Sequence, residues 1–209
     1  MIEIRNVSKS FGKKNIFHNL SFSIEDGEFI GIKGKSGSGK STLLNIMGFL
    51  ENFDDGSIIL DGEEVGPNDI KKARLLRKNK IGYLFQNFAL IDDFSVYENL
   101  EIGLSIRKKK AKIAAIKHVL ADLGLEVDLN QKIYTLSGGE QQRIALARVI
   151  LQNKPILLAD EPTASVDYEN REIILCVLDE LCRSGKTIIF VSHDDYVLSK
   201  AHRIILLGN

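Results

Sequence analysis

The octet Gly34-Lys35-Ser36-Gly37-Ser38-Gly39-Lys40-Ser41 limits what this chain can fold into more than any other stretch. Before it stands an apolar run, Phe29-Ile30-Gly31-Ile32, that reads as a buried strand; after it comes a helical pattern from Ser41 to Leu50. A buried strand that ends in glycines and re-enters as a helix is a building unit of α/β folds with a mainly parallel sheet. The octet also fits G-x-x-x-x-G-K-S/T, with Thr42 directly behind it. Glycines let a backbone wrap closely around polyphosphate and aim N–H groups inward, and the helix starting after Gly39 adds its positive end. Lys40 supplies a charge for the β- and γ-phosphates, and Ser41 a hydroxyl for Mg2+, which prefers oxygen ligands. Gly34, Ser36, Gly37, Ser38, Gly39, Lys40, Ser41 and Thr42 are therefore candidate nucleotide-binding residues.

Elsewhere short apolar strands alternate with helical patterns. Ile156-Leu157-Leu158-Ala159 and Thr187-Ile188-Ile189-Phe190-Val191 read as central parallel strands. An amphipathic helix from about Tyr168 to Arg183 lies between them, and His202 to Leu207 reads as a last strand. The first sixty residues differ, because Ile2 to Ile4, Leu20 to Ile24 and Ser57 to Leu60 have the texture of half-exposed antiparallel strands. From about Asn87 to Leu136 the texture is helical. Val96, Leu100, Gly103 and Leu104 suit one helix; Ile113, Ile116, Val119, Leu120 and Leu123 suit another, ended by Gly124. The expectation is a single domain over 1–209 of α/β class. Its P-loop core with a mainly parallel sheet takes residues 1–86 and 137–209. It carries an N-terminal antiparallel β sub-domain and a helical sub-domain inserted at about 87–136.

Composition narrows the functional classes. Lys plus Arg and Asp plus Glu each number 28, so no global field draws the chain to nucleic acid, and no nucleic-acid partner is expected. The basic clusters Lys71 to Lys80 and Arg107 to Lys112 lack interleaved aromatics and read as a solvated helix face or loop, with docking on a partner or on lipid headgroups as the alternative. The longest apolar run, Ile173 to Leu178, is far short of the roughly 18 residues of a membrane span. Met1 to Arg5 lacks a basic segment followed by an apolar stretch, so no secretory signal is expected. Cys176 and Cys182 are expected to be reduced core thiols on different faces of one helix, in a cytosolic protein.

A second constellation is Ile156-Leu157-Leu158-Ala159-Asp160-Glu161, which places two carboxylates at the carboxyl end of a central strand, the edge where open α/β sheets bind ligands. Asp160 is the natural partner of a Mg2+ held by Ser41. Glu161 can take a proton from an attacking water or hold that water in line.

A third motif carries a family resemblance. With Leu136-Ser137-Gly138-Gly139-Glu140-Gln141-Gln142-Arg143 between the cradle and the acid pair, the chain resembles the ATP-binding subunits of ABC transporters over essentially all 209 residues. Ser137 also suits the cap of a helix running to about Gln152. The resemblance implies that Phe11 stacks on adenine, with Phe where Tyr is commoner. It implies that Gln86, in Tyr83-Leu84-Phe85-Gln86, joins the helical sub-domain to metal and water, so that Ser41, Gln86 and Asp160 form the metal set. It assigns His193, in Val191-Ser192-His193-Asp194, to the γ-phosphate beside the catalytic Glu161. Asp167, in Ala164-Ser165-Val166-Asp167, belongs to the loop that crosses between subunits, with Val166 where Leu is usual.

The same resemblance assigns Ser137, Gly138 and Gly139 to the ATP held by a second copy, which implies a two-fold homodimer formed on ATP binding. ATP and Mg2+ are the implied cofactors. A separate transmembrane permease, docking near Gln86 to Leu104, is the implied partner, and places the chain on the cytoplasmic side of the membrane. Ile81 to Phe88 and Ser95 to Leu100 resemble the group serving macrolide, antimicrobial-peptide and lipoprotein export, bacteriocin-type export included. The close of the chain near its last strand gives the expectation of no added carboxyl-terminal regulatory domain. The rival expectation is a related ATPase that acts as a nucleotide-switched scaffold without moving solute. A nucleic-acid or ribosome machine of the superfamily, with long arms or tandem cassettes, does not fit 209 residues.

Overall fold

Alternation along the central strands decides how the layers stack. In β3 (Phe29–Gly34), β7 (Ile156–Asp160) and β8 (Thr187–Val191) successive side chains point to opposite faces and nearly all are buried. Ile30, Ile32, Ile156, Leu158, Ile189 and Val191 enter one core; Phe29, Leu157, Ala159, Ile188 and Phe190 enter another. Such a sheet needs a cover on each face. The computed structural model, which describes every residue except Gly103, Arg107, Ser165 and Asn209, supplies both.

The first cover is α1 (Lys40–Met47) with an antiparallel sheet of β1 (Ile2–Phe11), β2 (Lys14–Ile24), β4 (Asp55–Leu60) and β5 (Glu63–Val65), in the order β2-β1-β4-β5. Ile2, Ile4, Ile58 and Leu60 from that sheet share their core with Leu43, Leu44 and Ile46 of α1. The second cover is α5 (Gly138–Gln152), α6 (Tyr168–Arg183) and α7 (Asp195–Leu198), through Ile144, Ile174, Leu178 and Val197 among others. The central sheet is parallel throughout, in the order β6-β7-β8-β3-β9, with β6 at Ile81–Leu84 and β9 at Arg203–Leu207. The registers Ile30↔Ile189 and Leu157↔Ile188 bring the ends of β3 and β7 to one edge of the sheet.

Between β6 and α5 the chain forms α3 (Val96–Glu101), α4 (Lys109–Asp122) and a 3-10 turn at Ile133–Thr135. Ser95 and Glu98 cap α3 reciprocally, and Gly124 (φ 62°) follows the end of α4 in the left-handed region. Gly103 and Arg107, which belong to the expected helix and the second basic cluster, lie outside the described residues. The first basic cluster is α2 (Ile70–Lys80), a solvated helix whose Arg77 reaches back to the Phe49 carbonyl at 2.6 Å.

Several details differ from the sequence reading. The helix after the octet stops at Met47 rather than Leu50, because Gly48 caps it and Phe49 turns left-handed (φ 52°). The last strand starts at Arg203: the His202 ring accepts from Phe29 N–H at 3.2 Å, and the His202 backbone N–H donates to the Phe29 carbonyl. Cys182 is buried, but Cys176 is exposed on the solvent face of α6, so only one of the two thiols belongs to the core. Among the described residues no helix is long and apolar enough to cross a membrane.

Candidate nucleotide site

Backbone shape comes first. From Gly34 the chain turns into α1 with Gly37 (φ 77°) and Gly39 (φ 92°) in the region that side chains oppose. A Cβ at Gly37 would meet nothing within 4 Å, whereas one at Gly39 would run into Ile16 and lie 2.8 Å from Phe17 Cζ. Gly39 is thus required twice, for its dihedral and for the close approach of β2. Gly39→Ala should lower stability by about 3 kcal/mol, combining left-handed strain with overpacking; urea unfolding by circular dichroism checks it, and an unchanged midpoint would contradict the packing seen here.

Charge is placed next. Lys40 Nζ donates to the carbonyls of Gly34 (2.9 Å) and Lys35 (3.1 Å), which hold it across the loop. No carboxylate pairs with it among the described residues. Ser38 Oγ is buried without a hydrogen-bond partner among those residues, a hydroxyl left over inside the loop. Ser41 Oγ donates to Asp160 Oδ1 at 3.0 Å, tying the start of α1 to the end of β7. Burial pushes the Asp160 carboxyl up from its ordinary range, and the neighbouring Glu161 charge adds to that; Ser41 and Lys40 oppose it.

Glu161 leaves β7 in the left-handed region (φ 49°), an uncommon conformation for a residue with a side chain, while its N–H donates to the Val191 carbonyl at 3.1 Å. That turn brings Glu161 Oε1 to 3.0 Å from His193 Nδ1. Glu161 is mostly covered and His193 mostly exposed, and the hydrogen bond and charge of Glu161 raise the His193 pKa. A cleft of about 480 Å3 brings Ser36, Gly37, Gly39, Lys40, Ser41 and Thr42 together with Phe11, Gln86, Glu161 and His193. Gly34 lines the adjoining hollow, of about 440 Å3, which also reaches His193.

The Gln86 loop is fixed from a distance. Arg148 donates to the carbonyls of Phe88 (2.8 Å) and Ala89 (2.7 Å), and Asn99 holds both the N–H and the carbonyl of Ile91. Phe88 and Ala89 are both left-handed, so two donors on one carbonyl pair stabilise an otherwise strained turn.

Ser137, Gly138, Gly139 and Asp167 do not line that cleft. They form a second cluster at the amino ends of α5 and α6. Ser137 and Glu140 cap α5 reciprocally, and Ser137 holds the Glu140 carboxyl below its usual range. Asp167 accepts from the Asn170 backbone N–H and side-chain amide, both at 2.8 Å, which lowers its pKa, and Arg143 donates to the Asn170 side-chain Oδ1. A Cβ on Gly139 would sit 3.0 Å from Asn170 Nδ2, so the two helix starts are in close contact. Ser165 of the crossing loop lies outside the described residues.

Sequence reasoning missed Lys14 and Ile16, which reach the cleft from β2, and Asn170, Arg148 and Asn99, which hold its loops. It also missed Gln142, buried in α5, whose amide donates to the Pro162 carbonyl just past Glu161.

A divalent cation can be tested against the donors present. Ser41, Asp160 and Gln86 offer only oxygen or amide groups, and no cluster of three or more His, Cys, Asp or Glu that could hold a metal occurs among the described residues. One carboxylate and one hydroxyl beside a phosphate cradle suit Mg2+, which keeps water and phosphate oxygens as its other ligands.

A glycine cradle at a strand-to-helix turn, joined to an acid pair at the end of β7, two places along the same sheet with β8 between, defines a P-loop nucleotide-binding fold. Residues 17–164 match the ABC transporter family, and the chain belongs to it. It is 38% identical over 209 residues to the lipoprotein-releasing system ATP-binding protein LolD of Porphyromonas gingivalis, covering 98% of this chain and 95% of that one. It is 40% identical over 208 residues to the macrolide export ATP-binding/permease protein MacB of Campylobacter jejuni, covering 98% of this chain. The chain spans only 32% of that curated relative's length. Among solved structures it is similar to the ATP-binding cassette MJ0796, a dimer bound to ADP and Pi, with a TM-score of 0.90 and 36% identity over 100% of this chain and 94% of the other.

Proposed function

We propose that this chain is an ATP-hydrolysing subunit that drives a membrane permease, exporting a peptide or other hydrophobic substrate. The observation that carries the chemistry is the 3.0 Å bond between Ser41 and Asp160, with the Glu161–His193 pair on the next residue. That bond sets the phosphate cradle against a carboxylate edge, the arrangement phosphoryl transfer needs.

In this reading Gly34, Ser36, Gly37, Ser38, Gly39 and Thr42 bind the phosphates through the loop, and Lys40 neutralises the outer two. Phe11 stacks on the base. Ser41, Asp160 and Gln86 hold Mg2+, which supplies charge neutralisation to the phosphates when bound. Glu161 orients water and takes its proton, and His193 steadies the terminal phosphate. Ser137, Gly138, Gly139 and Asp167 serve the nucleotide of a second copy, so residues 1–86 and 137–209 act as the nucleotide core and 87–136 as the helical part facing the permease. The names of the relatives, macrolide export and lipoprotein release, support the export direction. The permease then holds the chain at the inner membrane face.

Lys40→Ala tests the cradle. Removing the lysine that meets the outer phosphates should weaken Mg-ATP binding at least about tenfold, since hydrogen bonds to charged groups contribute about 1.5–3 kcal/mol each. Calorimetric titration checks it; unchanged affinity would overturn the assignment of this cleft to ATP.

A further inference from the structure

A buried charge outside the phosphate cradle points to how the base end of the site is built. Lys9, on β1, is only 6% exposed, an unusual place for a cation. Burying an ammonium is costly unless it is partnered. Its Nζ has two neighbours: Glu51 Oε1 at 2.6 Å, and the Phe11 ring, whose centroid lies 4.5 Å away. Lys9 and Phe11 are two residues apart on one strand, so their side chains stand on the same face. Glu51 follows α1, and its N–H donates to the Asn45 carbonyl at 3.3 Å. The backbone that carries the carboxylate is therefore tied to the same helix that Lys40 begins.

We infer that Lys9 is a positioning residue that makes Phe11 a stacking platform with one free face for the base of the bound nucleotide. Phe11 is 49% exposed and lines the cleft, so without a brace its ring would be free to turn in solvent. The cation sits against the electron-rich face of the ring, fixes the ring's orientation and leaves the opposite face open. It also draws electron density from the ring, which strengthens stacking on an electron-rich purine. The Glu51 anchor sets the spacing between this platform and the phosphate cradle. The inference rests on the reading of the cleft as a nucleotide site with Phe11 at the base.

The test separates base from phosphate by titrating the full chain with Mg-ATP and with inorganic tripolyphosphate. Phe11→Ala should weaken ATP about tenfold, the range of a single aromatic–base stack. Lys9→Met should weaken ATP about fivefold, and both variants should bind tripolyphosphate as the wild type does. The double variant should bind ATP no worse than Phe11→Ala alone, because the lysine acts only through the ring. Glu51→Ala, at the more exposed end of the pair, should cost about threefold for ATP only and is the second variant to titrate should Lys9→Met fail to fold. Equal losses for both ligands would make Lys9 a structural residue and overturn the inference, as would additive losses or unchanged ATP affinity in both Lys9→Met and Glu51→Ala. If Phe11→Ala itself bound ATP normally, the base-platform reading beneath the inference would fall instead.

Discussion

Glu161→Gln is expected to cut ATP turnover by about a thousandfold, in the range of a lost general base, while ATP affinity stays within twofold of the wild type. The amide matches the carboxylate in size, so the left-handed turn at residue 161 and the contact with His193 survive the change. What disappears is the ability to accept a proton. Binding is spared because the cradle from Gly34 to Thr42 does not use the Glu161 side chain. Phosphate release under single-turnover conditions, beside a calorimetric titration, makes the measurement. His193 offers an independent check: its pKa is raised first by the bond and then by the charge of Glu161, so the imidazole should titrate at lower pH in the variant, visible by NMR. Brisk hydrolysis by the variant would remove Glu161 from the chemistry.

The parts of this site that were legible in the sequence are those whose cause is local. The cradle needs glycines at fixed spacing, and Gly37 and Gly39 take the left-handed dihedrals that spacing demands. The helix from about Tyr168 to Arg183 was readable from the spacing of its apolar residues, of which Ile174, Leu175 and Leu178 are buried. The start of α5 was readable through its cap, Ser137. β6 was not, since Ile81-Gly82-Tyr83-Leu84 is short and contains a glycine; only its pairing with β7 makes it a strand. The supports of the site were hidden too. Arg148 meets Phe88 across 60 residues of sequence, and Lys9 meets Glu51 across 42. No periodicity or turn signal announces such pairs. Cys176 shows the reverse error: it was expected in the core together with Cys182, yet the two stand on different faces of one helix, and a helix of this kind turns one face to solvent.

Ser137→Arg should leave ATP binding to the isolated chain within twofold and lower turnover at least about a hundredfold, the loss typical of a missing oxyanion or phosphate donor. The reason lies in where the structure puts the residues. Ser137, Gly138 and Asp167 stand at helix starts outside the cleft that holds Lys40 and Glu161. An exposed helix start attracts anions, but here it has none of its own chain's phosphate-binding residues beside it. On the proposed reading, a second chain brings the nucleotide to it. Losing the cap alone costs about 1 kcal/mol, so Ser137→Ala, which lacks the bulk and charge, is the control for helix stability. Complementation then decides the matter. A Ser137→Arg chain still has its own cradle and Glu161; a Glu161→Gln chain still has its Ser137. Mixed before ATP is added, two inactive proteins should recover about a quarter of wild-type turnover, because half the pairs are mixed and each mixed pair holds one complete site. A mixture as inactive as its components would show that each chain completes its site alone, and the two-fold arrangement would have to be abandoned.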